Sequence, residues 1–315
     1  MEKLRIVFMG TPEFAVGILD TILQNKYEVV GVITAADKPA GRGQKLKYSA
    51  VKEYALDNNL SLLQPTNLKD ESFLTELKAL NANLQIVVAF RMLPKVVWEM
   101  PSLGTFNLHA SLLPNYRGAA PINWAIINGE NKTGVTTFFI DDKIDTGAMI
   151  LKAETPIAQN ESAGELHDRL MLLGSETVIN TLALIEKGNV VTTVQQDDSE
   201  IKTAYKLNKE NCKIDWTKPA AEIHNLIRGL SPYPATWCYI SDKGEEWNVK
   251  IYEAIPILEL HALPIGQLLC SKKEMKIAVA NGFIQIESIQ FPGKKKMKTA
   301  ELLNGIQFSG EAKAH

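Results

Sequence analysis

At 315 residues, with 45% hydrophobic and 22% charged side chains, the chain is about two globular domains long and too apolar to stay disordered. Its longest apolar runs, such as Ile86–Phe90, are strand-length, far short of the ~20 residues of a bilayer span, and the run Ile6–Met9 is too short for a secretory h-region. Cys212, Cys238 and Cys270 have neither an even count nor CxxC spacing, which argues against a disulfide scaffold or a zinc site and makes a reducing cytoplasm the expectation. Net charge is −2, but residues 204–315 carry +3 and residues 1–203 carry −5. That asymmetry hints at a polyanionic partner for the C-terminal half, although a solvated lysine-rich surface explains it equally simply.

Leu4–Met9 is a compact apolar strand. It runs through Gly10 into Thr11-Pro12-Glu13, which reads as a helix start with a hydroxyl cap, proline at the first helical position and an acid in the first turn. Phe14, Ile18, Leu19 and Ile22 then recur at helical spacing. Tyr27–Thr34 is a second strand, and residues 35–48, with Gly41 and Gly43 around Arg42, have loop chemistry. Helical patterns follow at Val51–Asn58 and behind Asp70. Leu84–Phe90 and Thr105–His109 are strands, Pro121 opens a helix, Val135–Ile140 is β-rich, and Ser162 with Glu165 is a capping box for a long helix ending near Gly188. Strands alternating with helices in this order predict a Rossmann-like parallel α/β sheet.

After about residue 190 the pattern changes. Gln195–Glu200 is polar and reads as a linker. One helix carrying Ile223, Leu226, Ile227 and Leu230 precedes short strands at Thr236–Ile240, Val249–Ala254, Gly266–Leu269 and Lys276–Ala280. Asn281-Gly282 then signals a hairpin into Phe283–Glu287. These elements predict a small OB-like β-barrel. The expected division is a domain over 1–190, a linker over 191–205 and a domain over 206–315.

There is no GxGxxG after the first strand, no GxxxxGK[ST], no HExxH and no GxSxG. The chemistry concentrates in Asn107–Pro121. Asn107 and His109, two apart on a strand, share a face, and a carboxamide beside an imidazole can hold the oxyanion of an acyl transfer. The prolines and glycine of Ser111–Pro121 stiffen the rim. Asp145, in Asp141–Gly147, offers a carboxylate to orient an imidazole and help move a proton. A lone histidine is more often a core hydrogen-bond partner, and Asp-Thr-Gly is a common turn, so the residues alone leave both readings open.

The chain resembles the methionyl-tRNA formyltransferases from Met9 almost to its end. The resemblance is carried by Met9–Ala15, Lys38–Gly43, Gln64-Pro65, Asn107–Pro121, Asp145-Thr146-Gly147, Ile214-Asp215-Trp216, and Ile227-Arg228 with Pro232-Tyr233-Pro234. It implies transfer of a formyl group from 10-formyltetrahydrofolate to the α-amino group of the initiator methionyl-tRNA in the cytoplasm, with no metal, membrane or obligate protein partner. It implies that Asn107 and His109 stabilise the oxyanion and that Asp145 fixes the His109 ring and relays the amine proton. Ser111, Leu112, Leu113 and Pro114 would line the tetrahydrofolate site. Lys38, Arg42 and Lys45 would enter the tRNA acceptor stem, and Lys294, Lys295, Lys296 and Lys298 would bind the tRNA body. A small acceptor amine on a sugar nucleotide or glycinamide ribonucleotide, and a non-catalytic tRNA-binding protein, are the competing readings. The 38–47 segment disfavours the first, and the intact Asn107, His109 and Asp145 the second. Arg91 and Lys143 depart from the family's usual glycines and Ala148 from a common acid. Arg91 is expected either at the donor or in solvent. His167 and His224 read as structural or surface residues, Trp216 and Trp237 as core.

Overall fold

A computed structural model describes residues 3–40, 45–196 and 200–315. Packing divides the chain into two compact units. The first comprises Met1–Gly118, Thr133–Thr155 and His167–Thr203, the second Ala119–Lys132, Pro156–Leu166 and Ala204–His315.

The first unit is built on seven strands: β1 (Arg5–Gly10), β2 (Glu28–Ile33), β3 (Leu62–Leu63), β4 (Leu84–Val88), β5 (Thr105–His109), β6 (Lys132–Phe139) and β7 (Met149–Pro156). Their order across the sheet is β7-β6-β5-β4-β1-β2-β3. β1 is parallel to β2 and β4, and β4 to β5, while β6 is antiparallel to β5. Ile6, Val7, Phe8 and Met9 are all buried, as a strand covered on both faces of a parallel sheet must be. Helix α1 (Glu13–Gln24) buries Phe14, Ala15, Ile18, Leu19 and Ile22. It begins one residue later than expected: the Pro12 carbonyl accepts from Ala15 and Val16, so Pro12 is the cap and Thr11 lies outside.

Two stretches expected to be irregular are ordered by pairing. Within 35–48, Lys38–Ala40 and Lys45–Lys47 form an antiparallel ladder, because doubling back satisfies backbone groups that an open loop leaves to water. In the expected linker, Thr193 and Met149 exchange backbone hydrogen bonds of 2.8 Å, which docks the start of 191–205 onto the first unit. By packing, the second unit also takes in residues 119–132 and 156–166. The short helix Pro121–Ile127 packs with the C-terminal unit, where Asn123 Nδ2 donates to the Gly229 carbonyl at 2.8 Å. The capping box forms as expected: Ser162 N donates to Glu165 Oε2 at 2.8 Å, opening the helix α2 (Ala163–Glu186).

In the second unit, helix α3 (Ala220–Gly229) buries Ala220, Ile223 and Ile227 against strands β8 (Thr236–Asp242), β9 (Glu245–Ile257), β10 (Leu268–Cys270), β11 (Met275–Val279), β12 (Gly282–Gln290) and β13 (Lys313–Ala314). The order β10-β11-β12-β9-β8-β13 is nearly closed by a bridge between Gln267 and Lys313, giving the expected OB-like barrel. The hairpin at Asn281-Gly282 forms, with a second use for the asparagine: its Oδ1 accepts from Ala220 N at 2.8 Å and so caps α3. Gly282, at φ +155°, is irreplaceable because a Cβ there would lie 1.9 Å from the Ile257 carbonyl oxygen.

Asn83, nearly buried, stitches the sheet together where β1 begins. Its Oδ1 accepts from Arg5 N at 2.8 Å and its Nδ2 donates to the Lys3 carbonyl at 2.9 Å. Asn83→Leu leaves both backbone groups without that partner, so urea unfolding should show a loss of about 1–3 kcal/mol for each group it orphans, with the m-value unchanged.

Candidate active site

β5 pairs Asn107 with Val87 on one side and Phe138 on the other, and His109 with Thr136. The strand ends at the carboxyl edge of the sheet, where open α/β folds bind ligands. The alternation places Asn107 and His109 on one face. His109 is 6% exposed and Asn107 half-buried. The Nε2 of His109 lies 2.8 Å from the Tyr116 carbonyl oxygen, and since a carbonyl only accepts, Nε2 carries the hydrogen. Its other nitrogen, Nδ1, faces Asp145 Oδ2 at 3.8 Å. That distance is too long for a hydrogen bond, and the pair attracts only when Nδ1 also holds a proton. The Asn107 carboxamide makes no hydrogen bond among the described residues, so its donor is uncommitted.

Asp145 stands on a turn with φ +55°. Its Oδ2 accepts from Gly118 N at 2.9 Å. Beside it Asp141 Oδ1 accepts from Lys143 N and Thr146 Oγ1, so the lysine that departs from the family pattern enters this turn through its backbone. Gly147 is pressed so close that a Cβ would meet the Phe139 carbonyl oxygen at 1.7 Å. The structure thus brings Asn107, His109 and Asp145 to one place. The backbone of Tyr116 and Gly118 joins them, a contribution that no side-chain pattern announces.

The segment Ser111–Pro114 is held from inside. Ser111 is fully buried, and Leu113 packs with Phe138 and Met149. Ser111 Oγ donates to the Asn115 carbonyl, Thr136 Oγ1 donates to the Ser111 carbonyl, and Leu113 N donates to Thr136 Oγ1. Lys152 Nζ donates to the Leu113 carbonyl, and burial lowers the pKa of that ammonium. Ser111 and Leu113 therefore point inward, while Leu112 and Pro114 are less buried.

Arg91 is exposed, in keeping with one of its two expected places, and it also has backbone partners. Its guanidinium donates to the carbonyls of Pro65 and Thr66, tying the Gln64-Pro65 segment to the loop after β4. Gln64 in turn donates to the Ala35 carbonyl and to Asp37, both at 2.9 Å. Lys52 also donates to Asp37, and these two contacts hold its carboxyl below the usual carboxylate range. The approach to the strand Lys38–Ala40 is pinned in this way. Arg42 lies outside the described residues, and Lys38 and Lys45 are placed only by their backbone ladder.

The four C-terminal lysines are not equivalent. Lys298 Nζ and Lys296 Nζ both reach Glu253, at 2.7 and 2.9 Å, whereas Lys294 and Lys295 make no ion pair among the described residues. His224 is buried, and desolvation followed by the nearby Arg228 charge lowers its pKa. Trp216 is core, as expected, but Trp237 is only half-buried, with Lys209 and Lys213 near its ring. Among the described residues no group of three or more His, Cys, Asp and Glu side chains could hold a metal ion, and no helix is long and apolar enough to cross a membrane.

The profile of the family described as "Formyl transferase" matches residues 4–182, and "Formyl transferase, C-terminal domain" matches residues 206–307. The chain is 78% identical over 315 residues to a methionyl-tRNA formyltransferase of Flavobacterium johnsoniae, covering 100% of both chains. It is 53% identical over 313 residues to that of Bacteroides thetaiotaomicron, covering 98% of this chain and 97% of the relative. Among solved structures it is similar to WlaRD, a sugar 3N-formyl transferase in the presence of dTDP and 5-N-formyl-THF (TM-score 0.64, 25% identity, 94% of this chain and 100% of that chain). HypX from Aquifex aeolicus in complex with tetrahydrofolic acid shares the fold (TM-score 0.66, 18% identity, 98% of this chain and 49% of that chain).

Hydrogen bonds from Lys298 and then Lys296 hold the Glu253 carboxyl below its usual pKa. A carboxyl whose pKa is lower in the folded state contributes stability above its unfolded pKa and loses it as pH falls through the folded value. Glu253→Gln should cost under about 1 kcal/mol at pH 7, because these pairs are solvent-exposed. The difference from wild type should shrink as pH falls below about 4.3, the ordinary glutamate value, in unfolding curves recorded across pH.

Proposed function

This chain belongs to the methionyl-tRNA formyltransferase family, and on that premise we propose how its own residues carry the reaction. The enzyme transfers a formyl group from a formyltetrahydrofolate donor to the amino group of methionyl-tRNA, the modification that prepares this tRNA for translation initiation. We take the donor to be 10-formyltetrahydrofolate, the tRNA to be the initiator, and the compartment to be the cytoplasm, where charged tRNA is used.

The amine attacks with its lone pair, so it enters neutral. Attack on the formyl carbon puts negative charge on the formyl oxygen, and the chemistry of the site suits that demand: Asn107, half-buried on β5, holds an amide donor uncommitted among the described residues. His109 works from its Nδ1 side, because Nε2 is already given to the Tyr116 carbonyl. As the amine loses its proton, a proton received at Nδ1 makes the ring cationic beside Asp145, 3.8 Å away, and a cation there also favours the oxyanion. Asp145 stabilises that charge; when the tetrahedral adduct collapses, the bond between the formyl carbon and the folate nitrogen breaks and the proton on Nδ1 passes to that nitrogen, releasing tetrahydrofolate and returning the ring to neutral. The observation that carries this assignment is the convergence of an unpaired carboxamide and a histidine–carboxylate pair on one strand end. Leu112 and Pro114 meet the folate, on a rim held by Ser111 and Leu113.

Asn107→Ala and His109→Ala should each lower single-turnover formylation by roughly 10²–10³, the usual loss for one oxyanion contact, with tRNA affinity little changed. A folded variant that turns over at the wild-type rate would show that its residue has no part in the chemistry.

We further propose that the 38–47 segment, with Lys38, Arg42 and Lys45, meets the acceptor end of the tRNA, and that the C-terminal barrel binds the tRNA body electrostatically. Lys294 and Lys295 lead there, since Lys296 and Lys298 already share Glu253. Each lysine that meets a phosphate releases counterions and contributes roughly 0.7–0.9 to the slope of log affinity against log salt. Lys294→Ala with Lys295→Ala should flatten that slope by up to about 1.8, and Lys296→Ala with Lys298→Ala by less. Lines superimposed on wild type for both pairs would remove this cluster from the tRNA interface.

A further inference from the structure

Gln195 sits in a polar stretch that reads from the sequence as linker, yet it is only 8% exposed and every hydrogen-bonding group of its amide is engaged. Its Nε2 donates to the Asp145 carbonyl and to the Gly147 carbonyl, each at 2.9 Å. Its Oε1 accepts from Arg117 Nε at 3.0 Å and from Arg117 Nη2 at 2.8 Å. The orientation of the amide is not arbitrary: two carbonyls can only accept and a guanidinium can only donate, so the NH2 must face the turn and the oxygen must face Arg117. The backbone pairing of Thr193 with Met149 delivers the residue to this position.

We propose that Gln195 is a positioning residue for formyl transfer. With Arg117 it clamps the Asp145-Thr146-Gly147 turn and so keeps the Asp145 carboxylate against His109. The clamp closes on itself. Gly118 N holds the Asp145 carboxylate, the adjacent Arg117 holds the Asp145 backbone through Gln195, and the Tyr116 carbonyl before them holds the far side of the His109 ring. Asp145 adopts a left-handed backbone at φ +55°, a conformation that a non-glycine residue keeps only where its surroundings over-determine it. The two hydrogen bonds from Gln195 span the turn and supply that constraint. Only an amide meets the demand, since it offers two donors on one side and an acceptor on the other. A carboxylate satisfies Arg117 but turns lone pairs toward two carbonyl oxygens.

This role rests on the assignment of Asp145 and His109 given above, and the test separates the two. Gln195→Glu preserves, and strengthens by charge, the link to Arg117 while removing both donors to the turn. If Gln195 merely fastens its segment to the domain, Gln195→Glu is tolerated. If it positions Asp145, kcat at saturating donor and tRNA should fall roughly 10- to 100-fold, the scale of a small misplacement of a catalytic group, with KM for tRNA within about twofold in a variant that is still folded at the assay temperature. Gln195→Met, similar in size and without hydrogen bonds, should lose as much. Because Gln195 acts through Asp145, adding Gln195→Glu to Asp145→Ala should cause little further loss, as expected for residues that work as a unit. Wild-type kcat in Gln195→Glu, an equal further loss in the Asp145→Ala background, or failure of both Gln195 variants to fold would each overturn the proposal. An Asp145→Ala enzyme that is itself fully active would instead overturn the site assignment.

Discussion

A histidine and a carboxylate held 3.8 Å apart, close enough to share a charge but not committed to a hydrogen bond, is a condition the chain has to impose from outside the pair. Left to itself Asp145 would swing toward water or close fully on the ring. Three consecutive residues prevent this. The carbonyl of Tyr116 takes one side of the imidazole, the N–H of Gly118 takes the carboxylate, and Arg117 grips the glutamine that holds the turn. The segment after β5 therefore does more than form a rim. It is the frame against which the histidine and the carboxylate are both measured.

That frame depends in turn on buried polar contacts beneath it. Ser111 and Thr136 are fully buried, and their hydroxyls satisfy carbonyls of the loop that no strand could pair. Lys152 does the same for Leu113 at the cost of desolvating its ammonium. Buried polar groups of this kind are tolerated only when paired, and when paired they rigidify what they join. The same economy recurs at Asn83, which closes the start of the sheet.

Electrostatics on the C-terminal unit obeys a related limit. Four lysines crowded into five residues repel one another, and Glu253 relieves two of them. A count of lysines along the chain thus overstates the positive charge that the loop can offer to a phosphate backbone, because part of it is already answered by a carboxylate some forty residues away in sequence.

The sequence by itself determined the alternation of strands and helices in the first unit, the small barrel in the second, the capping box at Ser162, and the shared face of Asn107 and His109. Each of these is set by periodicity or by residues a few positions apart, where propensity and hydrophobic pattern act locally. The motifs around Asn107–Pro121 and Asp145–Gly147 also carried enough of the family to expect the reaction. Only the tertiary structure decided that Lys38–Ala40 pairs with Lys45–Lys47, that Arg91 serves the Pro65 loop, that Ser111 and Leu113 point inward, and that Gln195 leaves its polar stretch to hold Asp145. In most of these cases the deciding partner is a backbone carbonyl or N–H at least several residues away, often dozens. Every residue has these groups, so composition and spacing carry no trace of which will meet; packing alone selects them.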